Sequence, residues 1–307
     1  MTGIQAFPNF VPINDTIKDQ VYAHASQYPH YSDFNYVNML AWDLNQQTVV
    51  SVLRGNLVVR MSDYLTDERF YSFLGNIETA ETTTELLNIA EQESAGRKLC
   101  LVPEIGVHAL KASELFAVTE DTAAHDYVIS IPDVAAATGK KFQNVRQAVG
   151  YFDSLYGEVA RFEDLDLTQL DNQNEILEVF WTREGYKSEQ GHGNQAENEL
   201  LAIHRLFQHV DLDLVRGYGL RVHDKLAAFM IYEPHSVAWS TAHFCKANTE
   251  HKGIFRSFIH SVAQDLETQG AVYMNLEQDL GIGGLKTMKR SLNPVEMLKK
   301  YTVTDAS

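Results

Sequence analysis

Two carboxylates, Glu277 and Asp279, stand two residues apart in Asn275-Leu276-Glu277-Gln278-Asp279-Leu280-Gly281, just past a short apolar run and just before Gly283-Gly284. Groups of this type at the end of a buried strand can orient or deprotonate an amine or hydroxyl nucleophile. The same place lets them cap the next helix through its free N–H groups, and the two roles are compatible. Lys286, Lys289 and Arg290 follow at i, i+3 and i+4, one face of a helix. Such a face is either solvated surface or, after a glycine-rich corner, a grip for phosphate or a terminal carboxylate. Lys140, Lys141 and Arg146 pose the same choice on an earlier helix. His243 and Lys246 close an apolar run, where strand alternation puts His243 and Cys245 on one side and Lys246 on the other. A hydrogen-bonded core histidine is the commoner role for such a residue. His192, His204, His209, His251 and His260 show no ligand spacing, so no metal site is expected. Gly191-His192-Gly193 reads as a flexible loop and Trp181 as a core residue. No Gly-x-Ser-x-Gly elbow, P-loop or dinucleotide fingerprint occurs.

The elements that must position these groups can be read from hydrophobic period. Val237–Cys245 and Ala271–Asn275 read as strands, and Ile254–Thr268 as the helix between them. Ile254, Phe255, Phe258, Ile259, Val262, Ala263 and Leu266 share one helical face. Short apolar strands around a crossover helix are most naturally parallel, with chemistry at their carboxyl ends. Thr48–Leu53 and Leu57–Met61 form a hairpin about Arg54-Gly55-Asn56. Arg69–Leu74, Lys98–Val102 and Tyr127–Ile131 are further strands, and Thr83–Glu93 and Lys140–Phe152 are helices. In the later half, Val159–Phe162, Leu214–Val222 and Leu226–Tyr232 are strands. Gln169–Glu184 and Gln195–His209 are helices there, and Val295–Val303 supplies a final strand. The shared element order predicts two copies of one α/β architecture, divided as residues 1–157 and 158–307.

At 307 residues the chain suits two domains. Its composition, 45% hydrophobic and 21% charged, is that of a globular protein. No stretch reads as a membrane span or signal peptide, so a cytoplasmic protein without stable membrane insertion is expected. Cys100 and Cys245 read as buried free thiols. A net charge of −16 argues against coating a polyanion. Residues 246–300 carry eight basic and six acidic side chains, which suits a discrete anionic ligand better than a long one.

Taken in order, Ser32-Asp33-Phe34-Asn35-Tyr36-Val37-Asn38-Met39-Leu40-Ala41-Trp42, Gly139-Lys140-Lys141-Phe142 with Arg146, Glu197, His243 with Lys246-Ala247, and Asn275 through Ile282 with Gly284-Leu285-Lys286 and Lys289 carry a resemblance. Over nearly its full length the chain resembles the catalytic domain of bacterial phosphatidylglycerol lysyltransferases, above all stand-alone soluble members of that superfamily. The resemblance implies tandem GNAT-like (Fem-like) acyl-CoA N-acyltransferase domains with mixed sheets flanked by helices. It implies transfer of an aminoacyl group from charged tRNA to a lipid hydroxyl or an amine acceptor, with no metal or covalent cofactor. A CoA-using GNAT domain turns from strand to helix through Gln/Arg-x-x-Gly-x-Gly/Ala, whose N–H groups hold pyrophosphate. Here Glu250-His251-Lys252-Gly253-Ile254-Phe255 carries one glycine, so acetyl-CoA is disfavoured.

The expectation is therefore a soluble aminoacyl- or acyltransferase with aminoacyl-tRNA as donor and a lipid or small molecule as acceptor. Glu277 and Asp279 would be catalytic. Lys286, Lys289 and Arg290 would steady an anionic portion, Lys140, Lys141 and Arg146 would serve the acceptor, and Glu197, His243 and Lys246 would line the site. Two other readings stand beside it: a non-catalytic module binding a small anionic or amino-acid-like ligand, and a CoA-dependent N-acetyltransferase. The oligomeric state is open.

Overall fold

The structure, a computed structural model, describes residues 3–63, 66–93, 96–188 and 193–306, with the backbone alone over 183–188 and 193–195. It forms two compact units, each an α/β layer structure with a seven-stranded mixed sheet flanked by helices.

The first unit is residues 1–126 together with 278–281 and 298–307. Its sheet runs Val11–Pro12, Val49–Leu53, Asn56–Ser62, Arg69–Leu74, Lys98–Pro103, Lys300–Asp305 and Phe116–Glu120. The expected hairpin turns through Arg54 (φ 50°) and Gly55 (φ 81°), two left-handed residues in succession, as a two-residue turn of type I′ requires. Leu86, Leu87 and Ala90 of the helix Thr79–Gln92 pack on Tyr71, Phe73, Val102 and Val303 in one apolar core. Phe116–Glu120 was not legible as a strand: it alternates weakly and lies at the sheet edge, where one partner suffices.

The second unit is residues 127–277 and 282–297. Its sheet runs Glu296–Leu298, Asp126–Ser130, Tyr273–Asn275, Trp239–Ala247, Lys225–Pro234, Arg216–Val222 and Ala160–Leu165. Trp239–Ala247 and Tyr273–Asn275 are parallel, as their crossover helix Ile254–Thr268 predicts. Ile254, Phe258, Ile259, Val262, Ala263 and Leu266 are all buried in the core of this unit.

Three expectations are corrected here. The boundary does not fall at 157. Phe142, Val145 and Phe152 of the turn Lys140–Phe142 and the helix Gln143–Tyr156 are buried against Ile254 and Phe258, so this segment belongs with the second unit. The apolar face that made the helix legible needed that partner. The tail is two strands rather than one: Glu296–Leu298 edges the second sheet, while Lys300–Asp305 enters the first between Lys98–Pro103 and Phe116–Glu120. Trp181 is 53% exposed, set beside the buried Phe180 on Leu170–Ser188. Of the expected loop Gly191-His192-Gly193, Gly191 and His192 lie outside the described residues, and Gly193 opens the helix Gly193–His209.

Candidate functional site

Strand Trp239–Ala247 carries a β-bulge at His243. In the antiparallel ladder with Lys225–Pro234, Phe244 pairs with Ile231 and Ala242 with Tyr232, so His243 has no opposite number. The inserted residue breaks the alternation on which the sequence reading relied. Ala242, Cys245 and Ala247 pack in the core with helix Ile254–Thr268. Phe244 is fully buried, and Lys246 reaches Glu199 at 2.8 Å and the Phe180 ring at 5.5 Å. The expectation that His243 and Cys245 share a face is thus wrong, because a bulge shifts the phase of everything beyond it.

The bulge delivers His243 to two carboxylates. Its Nε2 lies 3.1 Å from Glu233 Oε2 and its Nδ1 lies 2.9 Å from Glu277 Oε1. Glu233 closes strand Lys225–Pro234, and its other oxygen faces His235 Nδ1 at 3.4 Å. His235 is held in turn by Thr241 Oγ1, 2.7 Å from its Nε2. Thr241, His235, Glu233, His243 and Glu277 therefore form a continuous row. Side-chain exposure is 7% at His235, 4% at Glu233, 1% at His243 and 15% at Glu277, so the row is most open to solvent at Glu277. Burial works against charge on the His243 ring, but its hydrogen bonds to Glu233 and Glu277 outweigh it, and the pKa is pushed up to about 9. Burial likewise opposes charge on Glu233, yet the hydrogen bonds from His235 and His243 hold its carboxyl well below the usual range.

Glu277 is aimed by its backbone. It adopts φ 59°, a left-handed conformation that costs a non-glycine residue about 1 kcal/mol. The buried Asn275 fixes it by accepting the Glu277 N–H at 2.7 Å, while Tyr127 N–H donates to the Glu277 carbonyl at 3.2 Å. Strand Tyr273–Asn275 leaves the parallel ladder at the pair Thr241 with Asn275, and the chain then turns the carboxylate back toward His243.

The other expected site residues are placed as follows. Asp279 belongs to the first unit, is fully buried and accepts the Gly281 N–H at 2.8 Å, bracing its own turn. The N-cap of helix Gly283–Ser291 is Ile282. Lys289 on that helix is buried, Lys286 half-buried and Arg290 exposed. Lys141 pairs with Asp133 at 2.7 Å, and Arg146 donates to the carbonyls of Ala137 and Gly139, closing the end of helix Ile131–Ala136. Lys140 is exposed, and so is Glu197; two residues on, it is Glu199 that takes Lys246. Cys100 and Cys245 are free thiols, and burial pushes Cys245 up to about 12 against the lowering charges of Lys246 and Lys289.

The sequence reading missed Glu233 and His235, and it read the last lysine as part of a positive sector. Lys300 is fully buried in the first unit, beside Asp33 and 2.6 Å from Asp126. Ser32 donates from its N–H and hydroxyl to Asp126. The one available signal for Glu233 was an ionisable pair, Glu233-Pro234-His235, directly after a fully apolar run. Among the described residues, no group of three or more His, Cys, Asp or Glu is placed to hold a metal ion, and no helix is long and apolar enough to cross a membrane.

A family profile described as phosphatidylglycerol lysyltransferase, C-terminal, matches residues 25–304. No curated protein matches the chain. Among solved structures, a conserved protein of unknown function from Bacteroides thetaiotaomicron is similar with a TM-score of 0.83 and 25% identity, covering 96% of this chain and 99% of that one. L-PGS from Bacillus licheniformis superposes with a TM-score of 0.60 at 14% identity, over 100% of this chain and 94% of that one. The C-terminal domain of a candidate lysylphosphatidylglycerol synthetase from Agrobacterium fabrum gives 0.59 at 12% identity, over 94% and 93%.

Proposed function

The chain belongs to the phosphatidylglycerol lysyltransferase C-terminal family and is built of two α/β units, each on a seven-stranded mixed sheet; from that premise we propose that it is an aminoacyl- or acyltransferase of tandem GNAT-like type whose acting carboxylate is Glu277. The donor is an aminoacyl ester of tRNA and the acceptor a lipid or small molecule bearing a hydroxyl or amine. The supporting observation is the Glu277 side chain, turned out of a strained corner and anchored through Oε1 to a buried imidazole. Its Oε2 accepts no hydrogen bond from a described residue of its own unit. A carboxylate so held can receive the ammonium of an aminoacyl donor or take the proton of the nucleophile.

The reading includes no acetyl-CoA. The lone glycine of the turn before helix Ile254–Thr268, Gly253, has φ 88°, and a side chain there would meet the Ala148 carbonyl oxygen at 2.7 Å. Close packing accounts for that glycine without a phosphate.

Incubation with a mixture of charged tRNAs and a cell extract, following labelled amino acid into product, tests the proposal. Transfer is expected, and Glu277→Gln is expected to slow it roughly tenfold or more while leaving the fold intact. Turnover unchanged in that variant would remove Glu277 from the mechanism. Thermal stabilisation by acetyl-CoA would favour a CoA-dependent N-acetyltransferase instead. A binding module would be stabilised by free amino acids and transfer nothing.

A further inference from the structure

A histidine in a transferase site is ordinarily taken for the base. Three observations assign His243 another part. Each of its ring nitrogens faces a carboxylate oxygen within hydrogen-bond distance, Glu233 on one side and Glu277 on the other. Ionised carboxylates only accept, whereas a neutral imidazole has one N–H and one lone pair. A neutral ring would therefore aim a lone pair at one of the two anions; a ring that donates to both is an imidazolium. The ring is also sealed, with 1% of the side chain exposed, so a substrate meets Glu277 and not His243. Finally, the bulge that produces this contact uses an inserted residue in an otherwise regular ladder, and such insertions serve to re-aim a side chain.

We propose that Glu233 and His243 form a positioning pair for Glu277: His243 is a standing cation that fixes one oxygen of Glu277 and leaves the other to the substrate, and Glu233 keeps it charged. Among the described residues, the charged groups facing the ring are these two carboxylates, one from strand Lys225–Pro234 and one from the corner after Asn275, and His235 is linked to the ring through Glu233. The raised His243 pKa agrees with the geometry. Neither Glu233 nor His243 is a catalytic residue in this scheme. The proposal rests on the reading of Glu277 as the acting carboxylate, but its charge assignment can be tested without substrate.

The test is imidazole nitrogen NMR of the full chain at about pH 7.5, a unit above the ordinary histidine value of ~6.5. The His243 resonances are identified by their loss in His243→Gln, and a wild-type titration seeks the same group as the histidine that stays protonated longest. Expected are two protonated ring nitrogens at His243, a titration lowered by about one pH unit or more in Glu233→Gln, and partial recovery in Glu233→Asp. In transfer assays, Glu233→Gln should lower kcat roughly tenfold and move the alkaline limb of the pH profile down with that titration. A neutral His243 in the wild type, or a titration indifferent to Glu233→Gln, overturns the inference whatever the turnover. A charged His243 combined with turnover indifferent to Glu277→Gln overturns the transferase role of Glu277 and leaves the charge assignment standing.

Discussion

The ion cluster about His243 makes the stability of the protein depend on pH in a direction that can be worked out. His243 titrates at about 9 when folded, above its ordinary 6.5. Its contribution is therefore complete below pH 6.5 and is lost as pH rises through about 9. Glu233 is depressed, so its contribution is complete above its ordinary 4.5 and is lost as the solution is acidified toward its folded value. Melting temperature should peak near pH 5–6.5 and decline on the alkaline side by the equivalent of no more than about 3.4 kcal/mol. His243→Gln should flatten that alkaline decline, as a series of melting curves at different pH would record. At this scale Glu277 was legible, since an acidic residue just past a buried strand invites attention. Its partners were not: Glu233 and His243 meet across neighbouring strands through a one-residue insertion, and no glycine or turn residue marks that insertion in the sequence.

Among the elements, those with a strong hydrophobic period were found nearly to the residue. Helix Ile254–Thr268 and strand Arg69–Leu74 are examples, because burial on one face or both writes itself into the spacing. What packs against such a face is not written there, which is why the segment from Lys140 was assigned to the wrong unit. Helix Gln143–Tyr156 approaches helix Ile254–Thr268 closely enough that its Ala148 carbonyl occupies the space a side chain at 253 would need. Gly253→Ala should therefore destabilise the second unit by about 1–3 kcal/mol, combining backbone strain with the displaced carbonyl, and a lowered denaturant midpoint would show it. A loss under a few tenths of a kcal/mol would mean that the two helices separate without cost.

The first unit places a full positive charge, Lys300, among Asp33 and Asp126 at zero exposure. Burial opposes the ammonium, but the two carboxylates outweigh it and raise the lysine pKa. Lys300→Met would strand both acids without their cation. Such an orphaned pair costs on the order of 3–5 kcal/mol, a large share of the roughly 5–15 kcal/mol of an ordinary domain, so a strongly lowered melting temperature is expected and circular dichroism would record it. A variant that also carries Asp33→Asn and Asp126→Asn should recover much of the loss. Counting charges along the sequence could not find this cluster, because its members lie far apart in the chain and the tail's destination is a matter of topology.

That topology also sets a timetable. Strand Lys300–Asp305 lies between Lys98–Pro103 and Phe116–Glu120, and the whole of the second unit is encoded before it. A ribosome that has already emitted every earlier strand of the first sheet has still produced only five joined strands and a detached sixth, Phe116–Glu120, with no ladder between them. The second unit can be finished in the meantime, but the first must wait for residues 300–305 to emerge. A nascent chain halted before them should thus hold one protease-resistant unit, and a chain released after them should hold two.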